Sequence, residues 1–191
     1  MTSASPAATP DFAPTHPRLV IIGHWLSVAL LLAVFAIVLP REWIDDKATR
    51  SALLQAHRVA GLLIGWATIF RLGMRTRLSL AEATPELPLW QHWASRLSQV
   101  AMYLMLLSLP ILGWLLTNAR GQPVELPWLG SLPMLMERDL DVADTLELVH
   151  TWTGWTLAGM VGLHVAAALW HHRIRRDGVL VAMWPGLRSR S

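Results

Sequence analysis

Eight histidines and no cysteine set the metal chemistry open to this chain of 191 residues. Without Cys there are no disulfides, thiolate zinc sites, Cys-ligated iron–sulfur clusters or covalent C-x-x-C-H haem attachment. Any metal or haem must be held by His or Met. His150 and His164 are 14 residues apart, which at about 100° per residue is about 40° short of four full helical turns. On one helix they share a face, separated by about 21 Å along the axis. His24 and His57 lie near the ends of two other apolar stretches, so His57 matches His150 in depth and His24 matches His164. Two imidazoles at each of two levels suit two non-covalent b-type haems, each in an apolar slot between helices. Each of these histidines alone has a plainer reading, as an interfacial hydrogen-bonding group or a packed intramembrane side chain. Two depth-matched pairs favour ligands, because ionisable residues inside a membrane are rare.

The elements that must position them follow from composition. Hydrophobic residues make up 53% of the chain and charged ones only 15%, against about 25% charged in soluble domains, and mean hydropathy is +0.40. Spans are predicted at 19–39, 53–70, 97–116 and 148–172. The first is too long, and lacks the small-residue cleavage site, to be a typical signal peptide. The second has only 12 uncharged residues between Arg58 and Arg71, so it spans only if it begins near Leu53, with His57 and Arg58 at the membrane boundary. Pro110 is tolerable as a kink in the third. The expected fold is an all-α integral membrane protein: a four-transmembrane-helix bundle over 18–185 enclosing two b-type haems. A disordered N-terminal tail at 1–17 and a basic C-terminal tail at 186–191 flank it.

Loop charges orient the bundle. With the N-terminus inside, inner segments carry ten basic residues, including Arg18, Arg71, Arg75 and Arg175, whereas outer loops carry five basic and nine acidic ones. The positive-inside rule places both termini in the cytoplasm. The sequence pI of 10.5 reflects this arginine face against anionic lipid and gives no case for nucleic acid. Trp43, Trp90, Trp93, Trp128 and Trp184 suit the interfacial belt, while Trp25 and Trp152 flank ligand candidates. Gly23, Gly61, Gly154, Gly162 and Ala166 to Ala168 would let a macrocycle approach helix backbones. His171, seven residues past His164, lies between the inner pair and the cytoplasm, where it could donate to a haem propionate or a quinone carbonyl. Arg58 and Arg120 could pair with propionates of the outer haem, or simply snorkel. His16 and His92 fall outside the spans and are given no site role.

The chain resembles the prokaryotic cytochrome b561 family in His24-Trp25, in His57 and in Leu109-Pro110-Ile111-Leu112-Gly113 followed by Arg120-Gly121. Further resemblance lies in Trp152 after His150, and in Gly162-Leu163-His164 through His171-His172 to Asp177 and Met183. The resemblance runs from about Arg18 to Pro185. It implies a four-helix di-haem protein of the bacterial inner membrane, with haem ligands His24, His57, His150 and His164. It also implies an activity, superoxide:ubiquinone oxidoreductase. Superoxide needs only local positive charge at an accessible haem edge, which Arg58 and Arg120 could supply outside, and ubiquinone needs a slot with hydrogen-bond donors, which His171 with Arg18 offers at the inner ends of the fourth and first helices. The acidic excess of the outer loops argues for poor long-range steering of an anion and for a second function: a haem subunit that docks a dehydrogenase, hydrogenase or periplasmic cytochrome. A haem-free transporter leaves the matched histidines without purpose, and no acidic residue lies inside a span. The chain has no large soluble domain for flavin or nicotinamide chemistry on a bulky substrate.

Overall fold

The computed structural model describes residues 15–78, 88–127, 129–177, 179–184 and 186. Most of the predicted N-terminal tail, most of the basic C-terminal tail and Trp128 lie outside the described residues. Four long helices carry the chain: α1 (Arg18–Val38), α2 (Lys47–Arg77), α3 (Leu89–Ala119) and α4 (Leu140–Trp170). A 3-10 turn at Leu39–Trp43 follows α1, and a short helix α5 (Val179–Met183) follows α4. Between α3 and α4 the chain forms a small antiparallel hairpin of β1 (Glu125–Leu126) and β2 (Gly130–Ser131), with Glu125 opposite Ser131.

Three helical segments are long and apolar enough to cross a membrane: 18–43, α2 and α3. Only 11 to 17% of the residues in their most apolar windows are buried within the chain. An apolar surface of that extent needs lipid around it. The fourth long helix, α4, where the sequence predicts a span at 148–172, is not among these three, and Thr151, Thr153, Gly154 and both histidines interrupt its apolar run.

Helices α2, α3 and α4 outrun the apolar windows read from sequence. Hydropathy senses the bilayer, whereas a helix ends where its backbone is capped. The Asp46 carboxylate accepts from the Thr49 N–H at 2.8 Å and starts α2, and Asp139 accepts from the Asp141 and Val142 N–H groups to start α4. Each capping acid stands upstream of the apolar residues, so the first turns are polar yet helical. At its far end α4 passes into a wider π turn at His171–Arg175. There the His171 C=O accepts from the Asp177 N–H at 3.3 Å, and Arg176 closes the turn in the left-handed region at φ 53°.

The helices pack in series, α1 on α2, α2 on α3 and α3 on α4. A small core of Ile64, Leu106 and Leu157, flanked by Leu30, Met105 and Val161, joins all four. Gly65 makes the α2–α3 approach possible, because a Cβ there would meet Pro110 Cγ at 3.1 Å. Buried Ser27, Thr68 and Thr117 return their hydroxyls to the carbonyl four residues back, the usual solution for hydroxyls in apolar helices. Asn118, fully buried, donates to the Gln122 C=O and accepts from the Leu135 N–H, which ties the α3–α4 loop to the end of α3.

Candidate haem sites

The four histidines singled out by their spacing meet in two pairs. The His24 and His164 ring centres are 6.4 Å apart, and those of His57 and His150 are 6.2 Å apart. The pairs join α1 to α4 and α2 to α4, helices that are not among the closely approaching backbones. Each pair therefore reaches across a wide space between helices. An imidazole nitrogen binds a metal at about 2 Å and lies about 1 Å from its ring centre, so two rings on opposite sides of one iron stand about 6 Å apart. Both pairs have that spacing. A haem iron takes one or two ligands from a protein, so each pair could hold one such group.

The second shell agrees with that reading. His57 Nδ1 donates to the Val34 carbonyl of α1 at 3.3 Å, which fixes the ring and leaves Nε2 as the nitrogen with a free lone pair. The His150 ring lies over Gly113 of α3, where a Cβ would stand 3.4 Å from its Cε1. Three buried side-chain nitrogens have no hydrogen-bond partner among the described residues: His16 Nδ1, Arg41 Nε and His150 Nδ1. His150 belongs to one pair, Arg41 acts electrostatically on His57, and His16 acts on His24. The His150 ring has the Leu109 carbonyl within its reach, whereas Arg41 beside one pair and His16 beside the other are polar groups that a polar-edged cofactor would satisfy.

The glycines divide into two kinds. Gly23 packs on Met74 and Arg71 and serves helix contact, whereas around Gly61, Gly154 and Gly162 a Cβ would meet nothing within 4 Å. Trp25 stands edge-on to His24 at 5.5 Å, and its indole N–H donates to the Met183 carbonyl. Trp152 is 65% exposed and makes no ring contact among the described residues.

At the His57 end, charge is segregated. A cleft of about 490 Å³ is lined by Arg41, Lys47, Arg50 and Arg58, with Gln55, Gln122 and the single acid Glu125. Three of the five outer basic residues thus gather with Arg58, while Asp139, Asp141, Asp144 and Glu147 cluster along the start of α4. The loop-wide excess of acids averages over these two faces and gives no measure of the field at the cleft. Arg58 donates to Gln122 Oε1, a neutral acceptor, at 3.0 Å. Arg120 is paired with Glu147 at 2.5 Å, so the two arginines singled out by sequence differ in the charge they offer. Arg41 is the cation that the sequence reading missed. It follows Pro40 at the end of an apolar span, where a snorkelling arginine is the ordinary expectation.

At the His24 end, His171 Nδ1 bonds Asp177 Oδ2 at 2.5 Å, and Arg175 Nε stands 3.7 Å from the same oxygen. Arg18 is exposed, and among the described residues no hydrogen bond or ion pair joins it to His171. Arg71 Nε donates to the Tyr103 hydroxyl at 3.1 Å, and the guanidinium also lies 4.9 Å from the Tyr103 ring centre. Its charge reaches both His24 and His164.

The prokaryotic cytochrome b561 family profile matches residues 15–186. Among curated proteins, the chain is 28% identical to Cytochrome b561 homolog 1 of Escherichia coli strain K12, over 85% of this chain and 92% of that protein. It is 25% identical to Cytochrome b561 homolog 2 of the same strain, over 91% and 94%. It is 24% identical to a probable superoxide oxidase, CybB, of Yersinia pestis, over 87% and 93%.

Proposed function

Because this chain belongs to the prokaryotic cytochrome b561 family, which implies b-type haem and electron transfer in a membrane, we propose that it is a four-span di-haem superoxide:ubiquinone oxidoreductase of the bacterial inner membrane. The observation that carries the reading is the pair of His–His distances, 6.4 and 6.2 Å, at two levels of one helix. His24 with His164 and His57 with His150 would hold the two haems, and the bound haem irons would supply one-electron transfer. The overall balance is two superoxide ions and one ubiquinone, with two protons, giving two dioxygen molecules and one ubiquinol.

Superoxide is too small to need a shaped pocket and needs local positive charge instead. Arg41, Lys47, Arg50 and Arg58 around one cleft would supply it next to His57, and Arg120 would add less, since it is paired with Glu147. At the other end His171 and Arg18 would face ubiquinone. Asp177, which accepts from His171 Nδ1, would orient that ring so that Nε2 faces a quinone carbonyl oxygen. Electrons would move inward against a potential negative inside, at about 2.3 kcal/mol per 100 mV, so the donor must be strongly reducing.

The test is quinol formation by the purified protein fed enzymatically generated superoxide and a soluble quinone. Quinol well above the uncatalysed background is expected. Its absence, with rapid haem reduction by a dehydrogenase or soluble cytochrome, would favour an electron-transfer subunit without superoxide activity. The exposed acids Asp139, Asp141, Asp144 and Glu147 support that second reading as a docking face for a basic redox protein.

A further inference from the structure

His16 precedes α1 and lies outside every span, yet its Nδ1 is buried and has no hydrogen-bond partner among the described residues. A buried polar nitrogen left unmet is costly, and native folds rarely tolerate one. The residue is not free to swing away. Its backbone N–H donates to the Ala182 carbonyl at 3.2 Å, and the Trp25 indole N–H donates to Met183 of the same short helix α5 at 3.0 Å. Trp25 also packs edge-on against Trp184 at 5.0 Å. The C-terminal α5 thus clamps the start of α1 and holds His16 beside the His24 pair.

Two cations share that place. Arg75, one turn beyond Arg71 on α2, bears on His16: burial first, and the Arg75 charge second, hold that imidazole below its ordinary value. Arg71 bears on His24 and His164. Their recorded side-chain hydrogen bonds go to neutral oxygens, Arg75 to Gln99 Oε1 and Arg71 to the Tyr103 hydroxyl. Among the described residues no carboxylate lies within 4.0 Å of either. Two guanidiniums and an unmet imidazole donor, with no acid between them, have the chemistry of an oxyanion site.

We propose that His16 and Arg75, with Arg71 behind them, bind a carboxylate of the group held between His24 and His164, that is, a haem propionate. The proposal rests on the two-haem reading above. A phospholipid phosphate would offer the same chemistry, and the experiment separates the two.

Purified wild-type protein, H16F, H16Q and R75Q are compared by haem stoichiometry, redox titration, resonance Raman spectroscopy of the propionate bending bands, and phosphate content. Removing a donor or a positive charge from a propionate favours the ferric state. H16F and R75Q should therefore lower the midpoint potential of one haem, the one retained when His57 is replaced, and shift a propionate band. H16Q keeps an N–H donor and should restore most of both signals. Should H16F fail to bind haem, H16Q and R75Q decide. Unchanged bands and potentials in R75Q and H16F overturn the proposal. So does loss of bound phosphate in H16F with bands intact, which assigns the site to lipid. A wild-type protein without two haems sinks the two-haem reading itself, and the proposal with it.

Discussion

At the residue scale, the cofactor reading stands on four imidazoles and on what surrounds them. If His57 and His150 are one ligand set and His24 and His164 the other, an Ala substitution at any one should reduce haem from two per chain to one. The haem lost should be the same within a pair and different between pairs, as read from the spectra of the surviving haem. Four variants that all retain two low-spin haems would refute the assignment. Gly113 gives a less obvious test. A Cβ there stands 3.4 Å from His150 Cε1, which a methyl group can tolerate with a small shift. The branched Leu side chain cannot fit without turning the ring. Gly113→Leu should abolish the haem at His57–His150 and leave the other spectrum unchanged, whereas Gly113→Ala should keep both.

At the scale of elements, helix ends and helix contacts make separate predictions. Gly65 faces Pro110 at 3.1 Å from a built Cβ, and the proline ring has nowhere to go inside α3. Overpacking of this kind costs about 1–3 kcal/mol. Gly65→Ala should lower thermal stability in detergent by that order while leaving haem spectra intact in the folded fraction. The cap of α2 depends on pH. The Asp46 carboxyl is held below its ordinary value, first by the Thr49 hydroxyl and then by the Thr49 N–H. A lowered folded value means that the cap contributes fully above the ordinary carboxylate value near 3.8 and is lost as pH falls through the folded value. The melting temperature of D46A should lie below that of the natural chain at neutral pH. The gap should close only in strong acid, and a gap constant down to the lowest attainable pH would refute the cap.

At the scale of the whole molecule, ten inner against five outer basic residues predict, by the positive-inside rule, that both termini lie in the cytoplasm. Reporter fusions after Ser191 should be active inside only, and fusions in the 118–147 loop outside only. A periplasmic signal from the C-terminal fusion would invert the molecule and move the cationic cleft to the cytoplasmic side, where superoxide from outside could not reach it. This prediction therefore bears on function as much as on topology.

The sequence by itself determined the membrane character, the exclusion of Cys-based chemistry and the family likeness, because these depend on composition, periodicity and motif, which need no tertiary contact. The spacing of His150 and His164 also followed from one helix alone. What lies opposite a helix face is a different matter. The 6.2 and 6.4 Å approaches depend on how three helices pack, and no rule of spacing within one helix supplies that. His16 looked inert because it stands in a polar stretch before α1. Only the return of α5 to its backbone, through Ala182 and Met183, encloses it. The same holds for charge: counting the outer loops gave an acidic average, and folding sorted it into an acidic face and a cationic cleft, because residues far apart in sequence meet only when the chain packs.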